Sequence, residues 1–125
     1  MDAILDTTVI VHLWRRYTPA LNWFRNTGVY GVTSTTWMEV MRGSTSKAIQ
    51  GQARNILDQF EVLYTTASDQ LWAMEQLERF QFSHHIGKDD CLIASVAYRL
   101  QVPLCTHNLK DMTPLIGSLA VKPYA

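Results

Sequence analysis

The sequence predicts an α/β fold in three layers, α/β/α, with a mainly parallel central sheet of four to five strands. Three observations predict it. Short runs of Ala, Ile, Leu, Val and Tyr alternate with longer stretches of helical periodicity along all 125 residues. The joins between them are only a few residues long, which suits helices that carry the chain back to parallel strands. Acidic residues stand at the edges of apolar segments, from Asp6 through Glu39 and Asp90 to Asp111.

Ala3-Ile4-Leu5 is the first strand, and Thr7 or Thr8 is expected to cap a helix reaching about Arg16. Arg15 and Arg16 suit the negative end of that helix's dipole. Pro19 opens a short helix through Phe24, stopped by Asn26-Thr27-Gly28. Val29-Tyr30-Gly31-Val32-Thr33 is the second strand. Ser34 or Thr35 then caps the helix that carries Glu39, and Gly43-Ser44 ends it. Ser46 to Phe60 reads as a longer helix, with Ile49, Ala53, Ile56, Leu57 and Phe60 on one face.

Val62-Leu63-Tyr64 is the third strand, and Ser68-Asp69 begins a helix whose expected core residues are Leu71, Trp72, Met74, Leu77 and Phe80. Ser83 to Gly87 is expected as a loop. Asp89 or Asp90 starts an almost wholly apolar helix from Cys91 to Leu100, which places it centrally. Pro103-Leu104-Cys105-Thr106 is the fourth strand, Asn108 to Ile116 a short helix, and Ala120-Val121-Lys122 a last strand.

In parallel sheets, ligands bind beyond the carboxyl ends of the strands. Asp6 and Asn108 lie just past such ends, while Glu39 and Asp90 fall in early turns of helices that can face the same rim. Carboxylates far apart in sequence but gathered at one rim are how an α/β fold assembles a divalent-metal site, and that points to metal-assisted chemistry on a phosphate ester.

The chain is sized for one domain with one continuous core. Its 47% hydrophobic and 18% charged content are ordinary for a globular protein. The longest apolar run, from Thr8 to Trp14, is interrupted by His12, so no membrane span is expected. Without a basic, apolar leader at the N-terminus, a cytosolic location is the expectation. Cys91 and Cys105 have no CxxC spacing and read as buried, reduced thiols. The net charge of zero hides a distribution: without the four spaced acids, seven acids face 11 basic residues. An acidic pocket rimmed by Arg and Lys suits a metal and a polyanion together.

Several motifs are excluded. Gly87-Lys88 is followed by Asp89 and lacks the upstream glycine of a P-loop, and there is neither GxGxxG nor GxSxG. An aspartyl-phosphate phosphatase would place a second Asp at Thr8. A receiver-type signalling domain would end its third strand in a phospho-acceptor Asp, where Tyr64-Thr65-Thr66 stands. His12, His84, His85 and His107 lack HExxH-like spacing and read as packing, loop or surface residues. Trp14, Trp23 and Phe24, beside Arg15, Arg16 and Arg25, serve either the core or a dimer or partner surface.

Leu5-Asp6-Thr7-Thr8-Val9, the mid-chain Glu39, Asp90-Cys91-Leu92-Ile93-Ala94-Ser95 and Leu104-Cys105-Thr106-His107-Asn108-Leu109-Lys110-Asp111 together resemble a PIN domain. Size and motifs are most similar to the VapC-type toxin ribonucleases of toxin–antitoxin pairs, and the resemblance covers nearly the whole chain. It implies a PIN-like three-layer fold and an endoribonuclease dependent on Mg²⁺ or Mn²⁺ that hydrolyses RNA phosphodiesters. It also implies a homodimer and a small antitoxin partner. By the same resemblance Asp6, Glu39 and Asp90 match the first three acids of the motif. The fourth position falls on Asn108, with Asp111 three residues later as the other candidate, so the site holds one metal or two. Thr8 stands where the pattern usually has Asn or Ser, and keeps a hydroxyl for a supporting role. A PIN-like RNA- or protein-binding module with weakened catalysis is the alternative.

Overall fold

The computed structural model describes residues 1–26 and 28–125; Thr27, within the predicted Asn26-Thr27-Gly28 stop, lies outside the described residues. Five strands, β1 Ala3–Leu5, β2 Tyr30–Thr33, β3 Glu61–Leu63, β4 Leu104–Cys105 and β5 Ala120–Val121, form one sheet in the order β3-β2-β1-β4-β5. Every described pairing is parallel, as for Ile4 with Gly31 and with Leu104. The helices are α1 Thr7–Trp14, α2 Thr18–Phe24, α3 Ser34–Arg42, α4 Lys47–Leu57, α5 Ala67–His84, α6 Lys88–Leu100 and α7 Leu109–Ile116.

The layers follow from the pleat of the central strand. Ala3 and Leu5 join a core with Val9, Ile10 and Leu13 of α1 and Val40, Ala53 and Leu57 of α3 and α4. Ile4, one residue out of phase, joins the opposite core with Cys91, Ile93, Ala94 and Val96 of α6 and Met112 of α7. Ile4, Leu5 and Val9 are wholly buried, and each such side chain contributes about 1.5–3 kcal/mol through removal from water. The chain steps from β1 outward through β2 to β3, then crosses to β4 on the other side of β1. That reversal opens a crevice between β1 and β4 at their carboxyl ends, the usual ligand position in an open parallel sheet.

Three caps fall earlier than predicted. Asp6, in extended conformation, caps α1 in place of Thr7 or Thr8, Thr33 caps α3 in place of Ser34 or Thr35, and Thr66 caps α5. The first two helices begin directly where their strands end, so the last extended residue becomes the cap. α5 also runs on to His84, through the start of the expected loop, and stops at His85 in the left-handed region. A left-handed residue other than glycine leaves no stop signal in the sequence.

The predicted core face of α5 needs correction. Leu71 and Met74 are 61% and 66% exposed, whereas Asp69 and Ala73 are buried. Trp72, Leu77 and Phe80 do pack against the α6 side of the core. α5 turns its small Ala73 inward, and the Asp69 carboxylate receives the Arg99 Nε of α6 at 2.9 Å, which fixes the helix's rotation. Cys91 and Cys105 are free and buried, and burial pushes both thiols up to about 11. Trp23 and Phe24 pack within the fold: Trp23 lies 5.1 Å from Tyr30 and Phe24 5.7 Å from Phe60, centroid to centroid. Among the described residues, no helix is long and apolar enough to cross a membrane.

Candidate active site

Asp6 sits at the crevice. Its backbone N–H donates to Cys105 O, which docks the end of β1 on the end of β4. Its side chain is 3% exposed and accepts two hydrogen bonds, from Thr7 N–H to Oδ1 at 2.8 Å and from the Thr106 hydroxyl to Oδ2 at 2.6 Å. Burial raises the Asp6 pKa; the donors Thr106, Thr7 and Thr8 oppose that rise without cancelling it. A carboxylate has about four lone-pair positions, so the bonds to Thr7 and Thr106 leave Asp6 acceptor capacity for a cation.

Glu39 reaches the same rim from the second turn of α3. The Thr7 hydroxyl lies 2.8 Å from Glu39 Oε1 and 3.1 Å from Thr36 Oγ1. A hydroxyl has one hydrogen, which the nearer, charged carboxylate takes, leaving Thr36 as the donor in the second contact. Burial raises the Glu39 pKa, the Thr7 hydrogen bond lowers it, and Asp89 and Asp6 raise it further. Asp89, which the sequence marks only as a possible helix start, therefore adds to the negative field on Glu39.

Asp90 lies in the first turn of α6, a helix with no side-chain cap at Gly87. Its pKa is pushed up to about 6, first by burial and then by the charges of Asp6, Asp111 and Glu39, against a lowering contact from the Gly87 backbone. The three repulsions come from three other elements. All four sequence-predicted acids thus share one electrostatic neighbourhood.

At the fourth corner the two candidates are joined. Asn108 stands at the N-terminal boundary of α7 without a side-chain cap, its N–H donates to Thr106 Oγ1 at 2.9 Å, and its Nδ2 donates to Asp111 Oδ2 at 3.1 Å. Thr8 accepts the His107 N–H at 3.1 Å, which anchors the 106–108 turn to α1. Sequence reasoning missed Thr106 and Thr7, the hydroxyls that orient Asp6 and Glu39. The only sequence signal was the Thr before His107-Asn108, and nothing local marked its partner as Asp6.

Beside this turn, His12 Nδ1 lies 2.8 Å from the Tyr124 hydroxyl, and the His107 ring packs 4.5 Å from Tyr124. Burial, with His12 and Lys122 nearby, lowers the His107 pKa. His84 and His85 are exposed. The four histidines thus occupy packing and surface positions.

Among the described residues, no three His, Cys, Asp or Glu side chains converge into a ready-made metal cage. The acids are close enough to raise the pKa of Asp90 yet remain an open, all-oxygen set. That set suits Mg²⁺, which binds through one or two carboxylates and keeps several waters; it lacks the imidazole or thiolate ligands a structural zinc would take. A groove between α3 and β3, lined by Trp37, Met38, Phe60 and Tyr64, contains none of the four acids and is separate from the site.

The PIN domain family model matches residues 3–110. A chain of a toxin–antitoxin complex from Klebsiella pneumoniae is 22% identical, with a TM-score of 0.80 over 98% of each chain. A chain of VapBC2 from Rickettsia felis, bound to a promoter DNA fragment, is 23% identical, with a TM-score of 0.76 over 94% of this chain and 95% of that one. VapC20 of Mycobacterium tuberculosis, described as a sarcin-ricin loop cleaving toxin, is 16% identical, with a TM-score of 0.71 over 92% and 97%. At these identities the likeness shows a shared fold. No curated protein sequence matches the chain.

Proposed function

The chain belongs to the PIN domain family, and from that premise we propose that it is a metal-dependent endoribonuclease acting as the toxin of a toxin–antitoxin pair. One observation carries the reading: hydrogen bonds through Thr7 link Asp6 to Glu39, and through Thr106 and Asn108 link Asp6 to Asp111, at the carboxyl end of the sheet, and the charges of all three bear on Asp90. Acids gathered so closely that three of them raise the pKa of the fourth suit a cation. The structural neighbours named as toxin–antitoxin complexes support an antitoxin partner. The cleavage named for VapC20 supports an RNA phosphodiester as substrate.

In this reading Asp6, Glu39, Asp90 and Asp111 hold Mg²⁺ or Mn²⁺, with Asn108 and Thr8 in support. A bound divalent ion supplies positive charge against the charge developing on the phosphodiester and lowers the pKa of an attacking water. Thr106 and Thr7 fix Asp6, and Thr7 fixes Glu39, so neither carboxylate must be ordered when substrate arrives. Asp90, half-buried and protonated below about 6, is the group whose charge responds to pH. Exposed Leu71, Met74 and Phe82 on α5 support a protein contact there, in keeping with a homodimer. A cytoplasmic location accompanies the toxin reading.

The test is cleavage of structured RNA in Mg²⁺ or Mn²⁺ by the wild type and by Asp6→Asn and Asp90→Asn. Cleavage is expected in the wild type, lost with EDTA and reduced at least about a hundredfold in each variant, the scale of losing a preorganised charge-stabilising group. Cutting that persists in both variants or in EDTA overturns the site. RNA binding without cutting leaves the binding-module alternative. Growth arrest on expression, relieved by a co-expressed small partner, tests the toxin role.

A further inference from the structure

We propose that the groove running outward from Glu39 between α1, α3 and α4 seats one unpaired nucleotide of single-stranded RNA, its base against Trp14 and its phosphate on Arg15. The inference rests on the ribonuclease reading and names where that substrate is gripped beyond the reacting phosphate. The groove holds about 390 Å³ and is lined by Thr7, Val11, Trp14 and Arg15 on one wall and Val40, Gly43 and Ile49 on the other, with Glu39 at its inner end. Pockets for small ligands run from about 300 to 1,000 Å³.

The wall on α1 is a helix face: Thr7, Val11, Trp14 and Arg15 stand at spacings of four, seven and eight residues. Its inner end belongs to the acid site, because the Thr7 hydroxyl is bonded to Glu39. Trp14 lies about 10 Å farther along the axis at 1.5 Å per residue. The order along the groove is therefore acid site, aliphatic walls, indole, cation. A strand whose reacting phosphate sits at the acids would bring its neighbouring base to the indole and a further phosphate to the guanidinium.

Trp14 differs from the other tryptophans. Trp23 packs on Tyr30, Trp37 lies under the Arg54 guanidinium and Trp72 stacks on Tyr98. Among the described residues, Trp14 has no aromatic or cationic partner. Arg15 is exposed and, among the described residues, makes no ion pair. A half-buried indole that packs against the core but has no aromatic or cationic partner, beside an unpaired cation and in an apolar slot continuous with the proposed cleavage site, has the chemistry of a base-stacking platform. A base reaches such a platform only when unstacked, so the groove selects single strands over duplex.

The test measures binding of labelled single-stranded and duplex RNA in EDTA, where metal-dependent cleavage is off. Trp14→Leu, which keeps the apolar volume, is expected to weaken single-strand binding roughly 5- to 150-fold, the range for losing one stacked base. Duplex binding should not change. Arg15→Gln, at an exposed position that does not threaten folding, should flatten the salt dependence of log K by about 0.7, one phosphate contact. Variants with wild-type melting that bind single-stranded RNA like the wild type overturn the groove, while wild-type cleavage leaves the ribonuclease reading standing. Variants that lose affinity only for a small partner protein assign the groove to a peptide and also overturn the proposal. A wild type that neither binds nor cuts RNA removes the ribonuclease reading itself.

Discussion

The Thr106 hydroxyl donates a 2.6 Å hydrogen bond to Asp6 Oδ2, joining residues 100 positions apart, and accepts the Asn108 N–H at 2.9 Å. One buried hydroxyl thus couples the first acid to the turn that carries the fourth corner. Thr106→Val keeps the shape but removes one of the two donors to the buried Asp6 carboxylate and leaves the Asn108 N–H without its acceptor. The expected cost is about 1–3 kcal/mol in urea denaturation. Thr106→Ser, which keeps the hydroxyl, should lose less; equal losses in the two variants would assign the effect to packing.

The metal-free protein should become less stable as pH rises through about 4 to 6. The folded pKa of Asp90 is raised to about 6, so the folded state holds a proton that the unfolded chain releases earlier, and ionising Asp90 in place is unfavourable. Asp90→Asn removes that repulsion and should raise Tm at pH 7 without metal by about 3–5 °C, the shift expected of ~1 kcal/mol in a domain of this size. Melting curves at pH 5 and 7 check this. A variant that melts below the wild type at pH 7 contradicts the electrostatic account.

Metal should reverse the same repulsion. Mn²⁺ is expected to raise Tm in the wild type, more at pH 7 than at pH 5, because protons compete for Asp90. In Asp111→Asn the rise should shrink, and in Asn108→Ala it should shrink through loss of the 3.1 Å contact that holds Asp111. If Asn108→Ala removes the shift while Asp111→Asn leaves it intact, Asn108 is the direct ligand.

Asp69 makes a prediction away from the site. Its side chain is 2% exposed, receives Arg99 Nε at 2.9 Å and completes a capping box with Thr66. Burial raises its pKa, but Arg99 and Thr66 outweigh it and the net shift is downward. Its contribution is therefore present above the ordinary Asp range and lost as pH falls through the depressed folded value. Asp69→Ala should cost about 1–2 kcal/mol, from a lost capping box and a broken ion pair whose Arg99 side faces water. Chemical denaturation at pH 7 measures it; a loss below ~0.5 kcal/mol would make the pair incidental.

The sequence by itself determined the alternation of strands and helices, the parallel sheet and the four acids, because period and residue type are local properties. Ala3-Ile4-Leu5 and the apolar run through α6 could be placed without a neighbour. Helix starts moved by a residue or two, since Asp6 and Thr33 become caps only where a strand end and a helix start meet. The exposed face of α5 was decided by tertiary structure: the periodicity of Leu71 and Met74 allowed burial, but Ala73 and the Asp69–Arg99 pair set the rotation. Tertiary structure also joined Asn108 to Asp111, and brought Thr7 and Thr106 to the acids. Those hydroxyls act through distance and direction across the sheet, and neither quantity is written in the identity or spacing of a threonine.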